Sequence, residues 1–210
     1  MIDPVEVAAW TRGWAICRDR PPPAPAFGGW FVHVDQPDQV ARYVFDRLDI
    51  ARLRALGAAI REPHVLLKHP EPADSVQYAL GGDWDAVRTG WLMRGSLRGT
   101  PRAMPDGFAI EQSDGAYCQY RVHGRDGAEA ARARLIVRGA HAVIDSVDTE
   151  PPFRRMGIAS ALTGRLSADA LAAGATTGLL VATDAGLRVY ERLGWHVLAP
   201  WTTAQRKRTA

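Results

Sequence analysis

The stretch Thr149–Leu166, TEPPFRRMGIASALTGRL, decides how this chain is read. Before it, His141–Val147 (HAVIDSV) is an apolar run of strand character. Pro151 and Pro152 then take the chain out of a sheet, because neither has an N–H to continue a ladder. Beyond them Ile158, Leu162, Leu166 and Ala170 recur at helical spacing, with Ala159 and Ala173 beside them. Ser160, Thr163, Gly164 and Ser167 fall on the opposite side, while Asp169 interrupts the apolar face near its end. Gly174 closes the helix as a C′ glycine. The order is strand, tight basic loop, helix.

The loop itself, Arg154-Arg155-Met156-Gly157-Ile158-Ala159, has the chemistry of an anion site. The first turn of a helix carries free backbone N–H groups and the positive end of the macrodipole. Gly157 and Ala159 are small enough for a diphosphate to reach that backbone, and Arg154 and Arg155 add positive charge. The local pattern alone also fits an ordinary strand-to-helix turn with a solvated arginine pair.

The spacing Thr149-x-Pro151-x-x-Arg154-x-x-Gly157-x-Ala159 resembles motif A of the GNAT acetyltransferase superfamily, with threonine where valine is usual. Downstream, Leu179–Trp195 (LLVATDAGLRVYERLGW) resembles motif B, a buried strand leading into a short helix that carries a tyrosine and ends in Gly-aromatic. The two motifs stand in the family's order, and the resemblance covers residues 135–200 and extends back to 106. It implies an α/β (α+β mixed sheet) class: a GNAT-like fold in the C-terminal half with an N-terminal α/β extension. It also implies acetyl-CoA as cofactor and a small-molecule or peptide amine as acceptor.

The site residues follow from that resemblance. Arg154, Arg155, Met156, Gly157, Ile158, Ala159 and Ser160 would grip the diphosphate. Backbone N–H groups near Val147, Asp148 and Thr149 would hold pantetheine and polarise the thioester carbonyl, with 177–182 as the parallel neighbour. Tyr190 matches the motif B tyrosine. A phenol with pKa of about 10 stays protonated at neutral pH and can donate to a departing thiolate; taken alone, Tyr190 is equally an amphipathic core residue beside Leu187 and Leu193. Asp145 is the first candidate base, since alternation puts it on the strand face of Val143 and Val147. Asp148 and Glu150 are rivals, capping or pairing with the loop arginines is the structural alternative for all three, and a water chain needs no dedicated base. Thr183 precedes the motif B helix, where it could touch pantetheine or act as an N-cap. No cysteine stands in either motif, which points to direct transfer in a ternary complex.

Composition narrows the classes. The chain has 210 residues and a net charge of +3, suited to one large or two small domains. Arginine-rich stretches read as solvated surface or as attraction for an anionic cofactor; no recognised module supports nucleic-acid binding. Cys17 and Cys118 are too few for a disulfide framework, and the six histidines share no ligand spacing, so no metal is expected. The N-terminal segment lacks a signal-peptide h-region and no run approaches a membrane span, so a cytoplasmic protein is expected. The oligomeric state is left open, a homodimer included. The tryptophans read as core, with Trp91 or Trp195 as alternative linings of an acceptor pocket.

In chain order, residues 1–26 read as a helix and a Pro-rich connector. Residues 27–97 read as a small α/β region: a hairpin around DQPDQ, a helix over 50–60, a strand over 64–69, a helix over 73–80 and a strand over 87–97. Residues 98–107 (RGTPRAMPDG) read as a linker, 108–202 as the acetyl-CoA-binding domain and 203–210 as a basic tail. The family places two helices between its first two core strands, and Gln112–Tyr117 has no room for them. Residues 27–97 are therefore expected to supply the acceptor wall, or to be a degenerate copy of the acetyltransferase core. A non-catalytic acyl-CoA-binding sensor or partner-binding protein is the alternative function.

Overall fold

A computed structural model describes residues 2–99 and 101–207. It divides into two compact units, Met1–Leu92 with Val197–Ala210 and Met93–His196.

The first unit opens with helix α1 (Pro4–Cys17), capped by Asp3, whose carboxylate accepts from Val5 N at 2.9 Å. Strands β1 (Ala24–Ala26), β2 (Gly29–Gln36) and β3 (Gln39–Val44) form an antiparallel meander. Helix α2 (Ile50–Ala59) then returns the chain to β4 (Val65–His69), parallel to β3. Helix α3 (Ala73–Leu80) leads into β5 (Trp84–Ser96), whose first part belongs to this unit. One face of this sheet carries Phe45, Leu67 and Ala204 against Leu53, Leu56, Val76 and Trp84, one buried cluster. On α1, Trp10 packs edge-on to Trp201, and the Arg42 guanidinium lies 3.5 Å over Trp14.

The second unit takes the end of β5 and adds β6 (Phe108–Ser113), β7 (Cys118–Gly124), β8 (Glu129–Arg138) and β9 (His141–Thr149), paired antiparallel in sequence from β6 to β9. A short 3-10 turn (Pro151–Phe153) and helix α4 (Ile158–Ala172) connect β9 to its parallel neighbour β10 (Thr177–Ala182). Helix α5 (Asp184–Arg192) follows, then β11 (Trp195–Arg206). The helix α4 stops in a Schellman arrangement: Gly174 N bonds Leu171 O at 2.9 Å and Ala175 N bonds Ala170 O at 3.0 Å, with Gly174 at φ 90°.

Both units therefore run meander, helix, parallel strand, helix. In the first, β4 has β11 as its antiparallel neighbour. In the second, β10 has β5 beside it. The first unit thus takes its last strand from the far end of the sequence, whereas the second is one continuous stretch.

Three expectations change. Residues 203–206, expected as tail, lie in β11, while Arg208 and its successors lie outside the described residues. Ala24–Ala26, expected within a connector, pairs with β2. Residues 98–107 are no loose linker. A Cβ on Gly99 would meet Leu171 Cδ2 at 3.4 Å, one on Gly164 would meet Arg102 N at 3.3 Å, and one on Gly157 would meet Pro105 Cγ at 3.7 Å. The segment runs along α4 from its end to its start. This is why Thr163 and Ser167, on the side expected to be polar, are buried. A side chain at 164 would press on that backbone, which would have to give by a few tenths of an ångström. Asp169 is accounted for as well: it accepts from Arg165 Nε at 2.8 Å and from the Tyr120 hydroxyl at 2.9 Å.

Candidate functional site

The loop after β9 is shaped by its own backbone. Arg155 has φ 64° and Gly157 φ 84°, two left-handed turns on either side of Met156. A Cβ at Gly157 would meet only ordinary contact, so the requirement there is conformational. Gly157 is the N-cap of α4, and no side chain caps it. The first helical bond joins Ala161 N to Gly157 O at 3.0 Å. The N–H groups of Ile158, Ala159 and Ser160 precede it, and these are the groups a helix start presents to an anion. Arg154 Nε donates to Thr149 O at 3.0 Å, which leaves the rest of an exposed guanidinium beside the loop. Arg155 and Met156 are exposed, Ala159 and Ser160 half-buried, and Ile158 anchors the helix in the core.

Beside this helix start the parallel strands part. The register of β9 with β10 runs over His141↔Thr177, Ala142↔Gly178 and Val143↔Leu179, while β9 continues to Thr149. A bulge accompanies the parting. Arg134 faces Asp145 and Arg132 faces Asp148, so Ser146 and Val147 stand opposite Ala133 alone, and Ser146 takes φ 54°. The result is a strand whose second half, holding Val147, Asp148 and Thr149, turns one edge to a gap.

Asp145 is half-buried at the start of the bulge and accepts from Ser146 Oγ at 2.9 Å. Tyr190, on α5, is 8% exposed. Burial pushes its phenol well above the usual tyrosine range, and the negative charge of Asp145 adds to the shift. The candidate acid and the first candidate base therefore feel one another. Tyr190 packs edge to face with Trp195, centroids 5.9 Å apart. Asp148 points elsewhere: it is exposed and pairs with Arg132 at 3.4 Å. Thr183 is the N-cap of α5 and accepts from Gly186 N at 3.2 Å, so its hydroxyl is committed to the cap.

The arrangement sets the uncapped helix start beside the parted strands, with Asp145 at the bulge and its charge acting on Tyr190; the Asp148 side chain pairs with Arg132 instead. It fits a diphosphate-bearing cofactor with a narrow, largely backbone-bound arm. Among the described residues no cluster of three or more His, Cys, Asp or Glu stands close enough to hold a metal ion. Sequence reasoning missed the bulge, since Ser146 carries no signal for a positive φ. It also passed over Gly95 and Gly178, isolated glycines inside strand patterns that mark a close approach.

The model of the Acetyltransferase (GNAT) family matches residues 97–195. Residues 97–195 belong to the GNAT family. Solved structures share the fold at low identity. A GCN5-related N-acetyltransferase from Kribbella flavida is 17% identical, covering 97% of this chain and 95% of that chain, with a TM-score of 0.67. One from Sphaerobacter thermophilus is 16% identical over 87% of this chain and 78% of that one, TM-score 0.59. A tandem GNAT protein from the clavulanic acid biosynthesis pathway is 11% identical over 87% and 79%, TM-score 0.58. No curated protein matches the chain. No helix among the described residues is long and apolar enough to cross a membrane.

Proposed function

We propose that this chain is an acetyl-CoA-dependent N-acetyltransferase acting on a primary amine by direct attack in a ternary complex. The observation that carries the reading is the combination of three features in the GNAT domain: the uncapped start of α4, the parting of β9 from β10, and the buried Tyr190, whose phenol feels the charge of Asp145. Acetyl-CoA supplies an acyl thioester, whose leaving group is a thiolate.

The chain's own groups do the rest. Backbone N–H groups of Ile158, Ala159 and Ser160, with Arg154 and Arg155, hold the diphosphate. The free edge of Val147–Thr149 offers N–H groups to the amide arm and to the thioester oxygen, where fixed donors act on developing charge. Tyr190 keeps its proton across the neutral range and gives it to the sulfur. Asp145 takes the proton of the incoming ammonium; Asp148 is the weaker candidate, being held by Arg132.

One observation favours a second reading. β6 and β7 form a direct hairpin, Ser113 opposite Gln119, with no helices between them. An acyl-CoA-binding protein without transfer activity needs none. Release of thiol from acetyl-CoA against a panel of primary amines separates the readings. Amine-dependent release supports transfer; tight coenzyme A binding with release no faster than without amine would establish the binding protein instead.

A further inference from the structure

The chain invests unusual local design in one indole. Trp195 is 3% exposed and lies in a slot cut by two glycines on neighbouring strands. A Cβ on Gly95 of β5 would stand 2.4 Å from its Cδ2 and 2.6 Å from its Cε2. One on Gly178 of β10 would stand 2.6 Å from its Cη2. No real side chain tolerates such distances, so both strands give up a side chain to admit one ring. These glycines are selected for space: neither needs a left-handed backbone.

What the slot serves is visible in the aromatic partner of the ring. Trp195 meets Tyr190 at 5.9 Å between centroids with planes 62° apart. The tyrosine ring also lies against Gly186, whose added Cβ would meet Tyr190 Cε2 at 3.3 Å. Among the described residues no hydrogen bond holds the Tyr190 hydroxyl, so nothing but packing aims it. An edge-to-face pair has a preferred angle as well as a preferred distance, and it therefore orients as well as fills.

We infer that Trp195, seated in the Gly95–Gly178 slot, is a positioning residue that aims the Tyr190 hydroxyl into the acetyl-transfer site. The inference rests on the proposed role of Tyr190 as the acid. Misplacing a reacting group by about 1 Å costs on the order of 100-fold in rate.

The test has two readouts. The first is the ring resonances of Tyr190 in tyrosine-labelled protein, assigned by their loss in Tyr190→Phe. The second is kcat and KM for thiol release. Trp195→Leu should shift the Tyr190 resonances, lower kcat about 10- to 100-fold and change KM for acetyl-CoA less than about twofold. Trp195→Phe should restore most of kcat, and Trp195→Leu should add nothing in a Tyr190→Phe background. Should Trp195→Leu not fold, Gly178→Ala displaces the same indole from below and is expected to act alike. Resonances that stay in place in a folded variant would overturn the positioning role, as would additive losses in the double variant. Resonances that move without any change in kcat would leave the packing role standing and remove Tyr190 as the acid.

Discussion

The β3–α2–β4 stretch of the first unit and the β9–α4–β10 stretch of the second do the same architectural work: each joins two parallel strands through a helix. They differ at the point where the strand hands over to the helix. In the first unit Asp49 caps α2, accepting from Arg52 N at 3.0 Å and pairing with Arg52 Nε at 3.2 Å, so a carboxylate already occupies the helix start. The strands stay together there: Val44 faces Lys68, and Phe45 N bonds Lys68 O at 3.0 Å. His69 stacks on Phe45 at 6.0 Å and its Nε2 meets Arg47 O at 3.2 Å, which closes the junction from the inside. In the second unit a glycine caps α4, no carboxylate enters, and the strands part. The tyrosines differ likewise: Tyr190 on α5 is buried, while Tyr78 on α3 is 70% exposed. Topology makes a helix start available; the residue at its cap decides whether an anion can use it.

The contrast can be broken in order of expected effect. Tyr190→Phe should lower kcat by about 10²–10⁴ at saturating substrates, the usual range for a general acid, and Tyr78→Phe should leave it unchanged. Equal losses in the two variants would mean that the phenols matter for folding rather than for chemistry. Next, Gly157→Glu should reduce coenzyme A affinity on the order of 100-fold, by placing a carboxylate where Asp49 sits in the other unit. Calorimetry on a variant with unchanged far-UV dichroism reads this directly, and wild-type affinity would dismiss the loop as the binding site.

The third experiment concerns the closed junction. Lys68 Nζ donates to Thr203 Oγ1 at 2.7 Å, and burial, with Arg42 nearby, lowers its pKa from 10.5 to about 7. Between those two values the unfolded chain carries a proton that the native chain has released. Unfolding free energy should therefore climb as pH rises from about 7 to 10.5. Lys68→Met should abolish that climb and raise stability at pH 7 by on the order of 1–3 kcal/mol. Urea titrations at pH 7 and 9 report both; a climb that survives the substitution assigns it to another group. The smallest effect is expected for Asp49→Ala, about 1 kcal/mol of stability for a lost cap, with coenzyme A affinity unaltered. A second equivalent of coenzyme A bound by that variant would show that the cap alone kept the first unit closed.

Much of the second unit was legible because its signals are local. The four-residue spacing from Ile158 to Ala170 places α4, and Gly174 places its end. The basic loop was legible for the same reason, since a glycine that must take φ 84° and a pair of arginines lie within one turn of sequence. The bulge was not, because a positive φ at Ser146 is imposed by pairing with β8 and leaves no trace in residue type. Nor was the extent of β11: Pro200 and the polar run Thr202–Arg206 argue against a strand, and pairing with neighbours distant in sequence, β4 among them, makes them one. The burial of Thr163 and Ser167 depends on residues some sixty positions away that lie over Gly164, a contact no local pattern records. The pairing of Asp148 with Arg132 was hidden for the same reason, its partner standing on the neighbouring strand.

The late arrival of β11 in the first unit has a consequence for biosynthesis. Lys68 and Thr203, hydrogen-bonded across β4 and β11, are 135 residues apart. A ribosome delivers the first unit's helices and meander early, but the strand that pairs with β4 emerges only after the whole GNAT domain has been made. Of the two units, the one begun earlier is thus completed later, and until then β4 presents an unpaired edge. Such long-range closure is slow by nature. The unit begun earlier must wait, with an open strand edge of the kind that invites wrong pairing.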